Sequence, residues 1–161
     1  MYLNLTLAAN GPTSAFWNNT SPTSNVFSLG ATGTEVNQAS QTYVAYCFAE
    51  VPGFSKAFSY TGNGSADGPF VFTGMRPAYV LLKRTDTAGN WIVWDAVRNT
   101  YNVVGEELYP NLSNAGSTAT DLDLLSNGFK LRNTTADFNA SGGTYVGFAF
   151  ASTPFKFALA R

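Results

Sequence analysis

The feature of this sequence that most constrains its fold is an ungapped internal repeat. Residues 24–52 and 126–154 align at an offset of 102 positions, and 12 of the 29 aligned pairs are identical. The best-matched part reads TYVAYCFAEVP in the first copy and TYVGFAFASTP in the second. A sequence repeat indicates related structural units. Any local structure predicted for one copy must therefore suit the other.

Each copy of this shared motif predicts a buried β-strand. In residues 42–49 and 144–151, small side chains recur on one face and bulky apolar side chains on the other. The small positions are Ala45, Cys47 and Ala49 in the first copy and Gly147, Ala149 and Ala151 in the second. Because both faces are apolar, we expect a central strand that is covered on both sides. Cys47 is accordingly predicted to be a small buried residue rather than a reactive thiol.

The composition predicts an all-β fold. Aromatic residues make up 15% of the 161 residues and charged residues 12%, with 15 glycines and seven prolines. Such side chains suit pleated surfaces and tight turns. We therefore predict an antiparallel β-sandwich or jelly roll. Besides the two motif copies, strands are predicted at residues 2–7, 27–29, 54–60, 69–73, 78–84, 90–95, 122–125 and 129–131, with a break at Gly11-Pro12 and a short strand or helical turn within 96–109.

The order of the repeat bears on domain organisation. If residues 61–161 carry one complete unit, residues 1–52 match only its later half. The length suits one domain with a core of its own, so we expect residues 1–161 to form a single β-sandwich. We interpret the chain as the C-terminal part of a longer protein.

Charge and residue usage exclude several classes of function. The net charge of −1 offers no attraction to nucleic acid or to an anionic membrane, and no run of residues approaches a membrane span. Histidine is absent, which removes the usual general base and the commonest metal ligand. Most acidic residues fall in predicted loops; Asp95 is the exception, and we expect it to form a structural pair with Arg98. A non-enzymatic protein without catalytic residues is therefore predicted, with no nucleic-acid or membrane partner.

Two aromatic positions have the chemistry of a carbohydrate site. An exposed ring can cover the apolar face of a sugar while neighbouring amides bind its hydroxyl groups. Trp17 is followed by Asn18 and Asn19, and Trp91 is preceded by Asn90. Aromatic residues in a sandwich also serve as core, and that alternative stays open for both tryptophans.

Calcium is the one cofactor for which the sequence offers any ligands. Asp121, Asp123 and Asn127 would supply oxygen ligands of the kind that Ca²⁺ prefers. The simpler interpretation of the alternating Asp121-Leu122-Asp123-Leu124 is a strand with its polar face in water. We accordingly predict no cofactor.

Several strings, taken together, resemble the tail-fibre and virion proteins of environmental tailed phages. They are Trp17-Asn-Asn-Thr-Ser-Pro-Thr-Ser, Tyr43-Val-Ala-Tyr-Cys-Phe-Ala-Glu-Val, Ser59-Tyr-Thr-Gly-Asn-Gly-Ser, Asp67-Gly-Pro-Phe-Val, Arg76-Pro-Ala, Arg98-Asn-Thr-Tyr-Asn, Ser126-Asn-Gly-Phe-Lys and the C-terminal string from Ala151 to Arg161. The resemblance implies a concanavalin-A-like β-sandwich in the virion, at the end of a tail fibre or related appendage. It also implies a homotrimer that contacts other virion proteins and attaches to host-surface glycan. The alternative is a capsid or tail decoration protein with a purely structural role.

Overall fold

The computed structural model describes residues 1–10, 14–31 and 35–151. The chain divides into two compact units, one of residues 1–9 with the chain from Ala49 onward, the other of residues 10–48. The predicted break at Gly11-Pro12 and the C-terminal string beyond Ala151 lie outside the described residues.

The larger unit contains two antiparallel sheets of four strands each, consistent with a β-sandwich. The first sheet has the order β1 (Ser55–Thr61), β8 (Thr144–Ala151), β3 (Pro77–Arg84) and β4 (Trp91–Asp95). The second has the order β2 (Phe70–Phe72), β7 (Gly128–Leu131), β6 (Ser117–Leu125) and β5 (Val104–Glu107). Helices are confined, among the described residues, to α1 (Ser14–Trp17) in the smaller unit and α2 (Ala136–Asn139) in the larger. Four residues are far too few for either helix to cross a membrane.

The central position predicted for the second motif copy is confirmed. β8 pairs along one edge with β1 and along the other with β3. Gly147 of β8 lies close to atoms of both neighbouring strands. A Cβ atom there would lie 2.3 Å from the carbonyl oxygen of Leu81 and 2.4 Å from the ring of Phe58. Such distances are far inside van der Waals contact, so the strand needs a residue without a side chain at this point.

The core of the larger unit draws on both sheets. Trp94 and Leu82 of the first sheet and Phe129 of the second are fully buried, and all belong to one hydrophobic cluster. The rings of Tyr60 and Tyr145 stack at 4.9 Å between centroids. Burial of one large apolar side chain stabilises a fold by roughly 1.5–3 kcal/mol. The alternating apolar residues of the strands thus form the hydrophobic core that we expected for a domain of this length.

The strand predicted for the first motif copy is wrong. Residues 41–50 contain no strand, and Val44 and Tyr46 are 79% and 83% exposed. Cys47, predicted to be buried, is exposed. The strand predicted at residues 27–29 is absent as well. A central strand needs a neighbour on each edge, and in the larger unit β1 and β3 already pair with β8.

The N-terminal segment was also predicted to be a strand and is not one. It makes separate hydrogen bonds with the β3–β4 hairpin instead. The amide of Gly89 donates to the carbonyl of Thr6 at 2.9 Å, and the amide of Ala9 donates to the carbonyl of Thr85 at 2.9 Å. Isolated bonds of this kind hold a segment in place without forming a ladder.

A buried lysine fixes the same end of the hairpin. The ammonium of Lys83 donates to the carbonyl oxygens of Thr6, Arg84 and Gly89 at 3.0–3.1 Å. Its side chain is fully buried, and burial lowers the pKa of Lys83 while the carboxylate of Asp137 opposes that shift. A buried charge is tolerated only where its donors are satisfied. Three carbonyls, one from the N-terminal segment and two from the β3–β4 hairpin, meet that condition.

Asn139, at the end of α2, is a second buried polar centre. Its Oδ1 accepts from the amide of Asn63 at 2.9 Å, and its Nδ2 donates to the carbonyls of Ser65 and Asn133 at 2.8 Å each. The side chain is fully buried. One amide therefore joins the β1–β2 loop to the segment between β7 and α2.

We expect Asn139→Ala to lower the free energy of unfolding by about 3 kcal/mol or more, because a fully buried side chain and its three hydrogen bonds are lost. Chemical denaturation of the full chain measures this value. Asn37 occupies the matching position of the first repeat copy, is exposed, and donates to the carbonyl of Gly30 at 3.0 Å. Asn37→Ala is the matched control and should cost less than about 1 kcal/mol. Equal losses in the two variants would contradict the role assigned to Asn139.

Candidate functional site

The β4–β5 loop, residues 96–103, presents the most exposed large apolar side chains among the described residues of the larger unit. Val97 is 85% exposed and Tyr101 is 84% exposed. Single exposed apolar residues are common on protein surfaces. This loop is distinguished by the polar side chains that hold its backbone at several points.

Asp95 holds the start of the β4–β5 loop. Its Oδ1 accepts from the amides of Val97 at 3.0 Å and Arg98 at 2.8 Å, and its Oδ2 accepts from Nε of Arg98 at 2.6 Å. The predicted pairing of Asp95 with Arg98 is confirmed. Burial alone would raise the pKa of Asp95, but the hydrogen bonds from Arg98 and Val97 outweigh it, so the pKa lies below its ordinary value. The carboxylate stays charged at neutral pH and keeps the turn closed.

Two asparagines hold the rest of the loop. Oδ1 of Asn99 accepts from the amides of Gly105 at 3.0 Å and Glu106 at 2.7 Å. Asn102 donates to the carbonyl of Leu124 at 3.1 Å and accepts from its amide at 2.9 Å, so its side chain binds β6 as a strand residue would. A loop fixed in this way loses little conformational entropy when it binds a partner.

Sequence reasoning did not single out the β4–β5 loop. Its string Arg98-Asn-Thr-Tyr-Asn entered only through the family resemblance. The usable signal was an Asp and two Asn residues around a short segment between strands, since these side chains readily bind nearby backbone groups.

Of the predicted carbohydrate residues, Trp17, Asn18 and Asn19 lie in the smaller unit. Trp17 ends α1, is 53% exposed, and packs edge-to-face against Phe27 at 6.3 Å. Asn18 and Asn19 come next in the chain with φ angles of 52° and 47°, a left-handed turn that asparagine tolerates. The exposed ring and the adjacent amides keep the chemistry that the prediction requires.

The other predicted pair, Asn90 and Trp91, lies in the larger unit and serves the fold. The indole Nε1 of Trp91 donates to the carbonyl of Tyr2 at 2.8 Å, and its backbone amide donates to Oδ1 of Asn111 at 2.9 Å. Asn111 in turn donates to Oδ1 of Asn90 at 3.0 Å. Trp91 is only partly exposed. The two predicted carbohydrate groups thus belong to different units.

The candidate calcium residues all have partners within the chain. Asp121 accepts from Nε1 of Trp94 at 3.0 Å and from Nδ2 of Asn133 at 3.2 Å. Asp123 accepts from Nε of Arg132 at 2.6 Å. The carbonyl of the third candidate, Asn127 in the β6–β7 turn, accepts from the amides of Thr73 and Gly74. No group of three or more His, Cys, Asp or Glu side chains suited to a metal occurs within the described residues.

The interpretation of Asp121 and Asp123 as a polar face in water is wrong, because both side chains are buried. Asp121 lies within reach of a second buried carboxyl group, Glu107, which accepts from the hydroxyls of Tyr109 and Ser117. Burial and the proximity of Glu107 raise the pKa of Asp121 to about 7. Asp121 can therefore hold a proton inside the fold near neutral pH, but its carboxyl group is shielded from a substrate in solution.

We expect the free energy of unfolding to fall as the pH rises from 5 to 7. The folded protein keeps a proton on Asp121 up to about pH 7, whereas the unfolded chain releases it near its ordinary pKa of about 4. The unfolded state therefore binds fewer protons in this window, and stability decreases with a slope of at most about 1.4 kcal/mol per pH unit. Denaturant titrations at several pH values measure the slope.

Asp121→Asn is the control for this slope, since the amide is neutral at every pH. We expect the variant to be less stable at pH 5, because it lacks one acceptor oxygen, and to show a flatter profile up to pH 7. A wild-type profile that rises with pH, or an equal slope in the variant, would contradict the assignment.

The comparisons with known proteins give one result. No curated protein and no solved structure matches the chain. The model of a family described as a domain of unknown function, DUF7483, matches residues 1–154. Because that match covers nearly the whole sequence, the chain belongs to the DUF7483 family.

Proposed function

We propose that this protein is a non-enzymatic module of a phage virion, a β-sandwich at the end of a tail fibre or related appendage. It serves assembly and attaches the particle to host-surface glycan through the β4–β5 loop. The proposal rests first on the resemblance of the sequence to tail-fibre proteins, and on one structural observation. That observation is a loop fixed by Asp95, Asn99 and Asn102 that presents the ring of Tyr101 to solvent.

The chemistry of the loop suits a sugar ring. A tyrosine ring offers an apolar face for the CH groups of a sugar and a hydroxyl for hydrogen bonding. Arg98 lies three residues earlier with its side chain about a quarter exposed, 26%, so a cation lies close to the aromatic residue in the chain. Val97 adds apolar surface to the same loop. Together these groups offer apolar contact and polar recognition in one fixed segment.

One small loop supports only weak binding. We propose that the chain acts as a homotrimer alongside other virion proteins, so that several loops bind one surface together. Simultaneous binding of linked sites raises overall avidity by about 10²–10⁴ without any new contact. The exposed Trp17 with Asn18 and Asn19 is a second candidate contact in the same role.

The burial of the acidic pair supports a binding protein over a glycan hydrolase. Hydrolases of glycosidic bonds need two carboxyl groups on either side of an accessible bond. Asp121 and Glu107 are near each other but buried, and both are hydrogen-bonded within the chain. We further propose that the sandwich is of the concanavalin-A-like jelly-roll kind, and that the sequence repeat reflects two related units.

We expect Tyr101→Ala to weaken binding to host cells or to their surface polysaccharide by about tenfold or more, as removal of a central binding tyrosine does. The full chain displayed in many copies on beads provides the measurement. Phe72→Ala is the matched control, because Phe72 is also an exposed aromatic residue but lies on β2, at the far edge of the second sheet from β5. Equal binding by the wild type and Tyr101→Ala would refute a role for the loop.

Asn102→Ala tests whether the fixed shape of the loop matters. The variant loses both hydrogen bonds to Leu124, so we expect the free energy of unfolding to fall by about 1–3 kcal/mol. Binding should weaken as well, although Tyr101 is unchanged. Asn114, an exposed asparagine before β6, is the control position. Full binding by a measurably destabilised Asn102→Ala variant would show that the loop need not be rigid.

The alternative role, a capsid or tail decoration protein, predicts a different location. Immunogold labelling of particles would place a decoration protein over the whole lattice and an attachment module at the fibre ends. A decoration protein should also show no binding to host polysaccharide in the bead assay.

A further inference from the structure

The two repeat copies share more than sequence, because the same turn precedes the motif in both. The hydroxyl of Tyr43 accepts from the amide of Gln38 at 2.9 Å, and the hydroxyl of Tyr145 accepts from the amide of Ala140 at 2.8 Å. Both pairs of residues are related by the offset of 102.

Two further features of the turn agree at the same offset. The amide of Gln41 donates to the carbonyl of Gln38 at 3.3 Å, and the amide of Gly143 donates to the carbonyl of Ala140 at 3.0 Å. Ser40 has a positive φ of 63°, and its counterpart Gly142 has a φ of 74°. Serine rarely adopts this conformation, and glycine does so readily. Residues 38–43 thus take the local structure of residues 140–145 even where their sequence is less suited to it.

The two copies differ in the chain beyond this turn. After residue 143 the chain becomes β8, with a strand on each side and Ala149 fully buried. Residues 42–49 contain no strand, and Val44, Tyr46 and Cys47 are exposed. The first copy therefore carries the turn and the apolar pattern of a central strand, but within the described residues no strand pairs with it.

We propose that residues 42–49 are a docking strand for a segment of the β1–β4 type carried by another module of this family. The segment would supply two strands, one resembling β1 and one resembling β3, which pair antiparallel with the two edges of residues 42–49. The pairing of β8 provides the template for both contacts. This inference rests on the repeat and not on the proposed attachment to glycan.

A second copy of this chain is the less suitable partner. Its own β1 and β3 already pair with its own β8 along seven residue positions each. To complete residues 42–49 of a neighbour, that copy would have to release β8, which exposes another apolar strand of the same kind. Pairing between two copies therefore always leaves either residues 42–49 or a β8 strand without neighbours. A separate β1–β4 segment is needed to cover both.

The sequence contains its own reporter for this docking. Cys47 is the single cysteine of the chain and is exposed, whereas Ala149, its counterpart in the second copy, is fully buried. A second copy of residues 55–103 fused directly before Tyr2 of the full chain continues the repeat at its offset of 102. We expect the thiol of Cys47 to react at least about tenfold more slowly in this fusion than in the unfused chain, because modification then requires local opening.

A matched fusion separates docking from mere proximity. It carries the same added segment with Val80→Pro and Leu82→Pro in the added copy only. In the native unit these residues pair with Ala149 and Gly147 of β8, and proline removes the amide donors of a ladder. Cys47 should react as fast in this control as in the unfused chain. Equal reactivity of Cys47 in the two fusions overturns the proposal.

A pair of substitutions tests the same surface without any fusion. Cys47→Asp should shift the unfolding midpoint of the unfused chain by less than about 2 °C, as changes at open surface positions do. Ala149→Asp, at the same position of the second copy, should lower it by about 10 °C or more, because it buries an unpaired charge. A large drop for Cys47→Asp would show that the strand is already covered within the chain and would overturn the proposal. Protection of Cys47 that grows with the concentration of the unfused chain would overturn it too, in favour of a second copy.

Discussion

β8 is hydrogen-bonded along both edges, and the first sheet depends on this double pairing because, in the part of the chain that the structure describes, no other strand joins β1 to the β3–β4 hairpin. The strand is also tied to the layer around it. Tyr145 stacks on Tyr60, and its hydroxyl donates to the carbonyl of Ala136 at 2.8 Å while accepting from the amide of Ala140. One tyrosine therefore links the central strand, the edge strand and α2. Loss of β8 would leave the two halves of the sheet without a shared ladder.

The buried polar groups contribute specificity to the fold, whereas the apolar core contributes stability. Apolar contacts are tolerant of small changes in register, whereas a buried hydrogen-bonded group accepts only one arrangement of its partners. Lys83 fixes the hairpin end, Asn139 fixes the segment around α2, and Asp121 ties β6 to Trp94 of the facing sheet. We interpret these three residues as the features that select one packing of the two sheets. On the surface, side-chain hydrogen bonds likewise hold the backbone of the candidate binding loop in one arrangement.

The sequence predicted the elements whose signals are local. Alternation and turn residues located the hairpin of β3 and β4, and the spacing of Asp95 and Arg98 predicted their ion pair correctly. At two other places the sequence had the alternation of a β-strand, but the structure differed from the prediction. The pattern of residues 42–49 describes the two faces of a strand but carries no information on whether neighbours exist. Likewise, alternation at Asp121 could not reveal that Trp94, 27 residues earlier, supplies a donor that lets the carboxyl group be buried. The β4–β5 loop carried a local signal in Asp95, Asn99 and Asn102, but the sequence did not show that Asn102 binds Leu124, 22 residues later.

The hydrogen bonds of the N-terminal segment have a consequence for the order of events during synthesis. Thr6 accepts from Lys83 across 77 positions, and Tyr2 accepts from Trp91 across 89. Translation adds about 5–20 residues per second, so Tyr2 and Thr6 are made several seconds or more before their partners exist. For that interval the segment that contains them lacks these hydrogen bonds. A factor that binds nascent chains can hold the segment during this time, and the hairpin must displace it before the hydrogen bonds form.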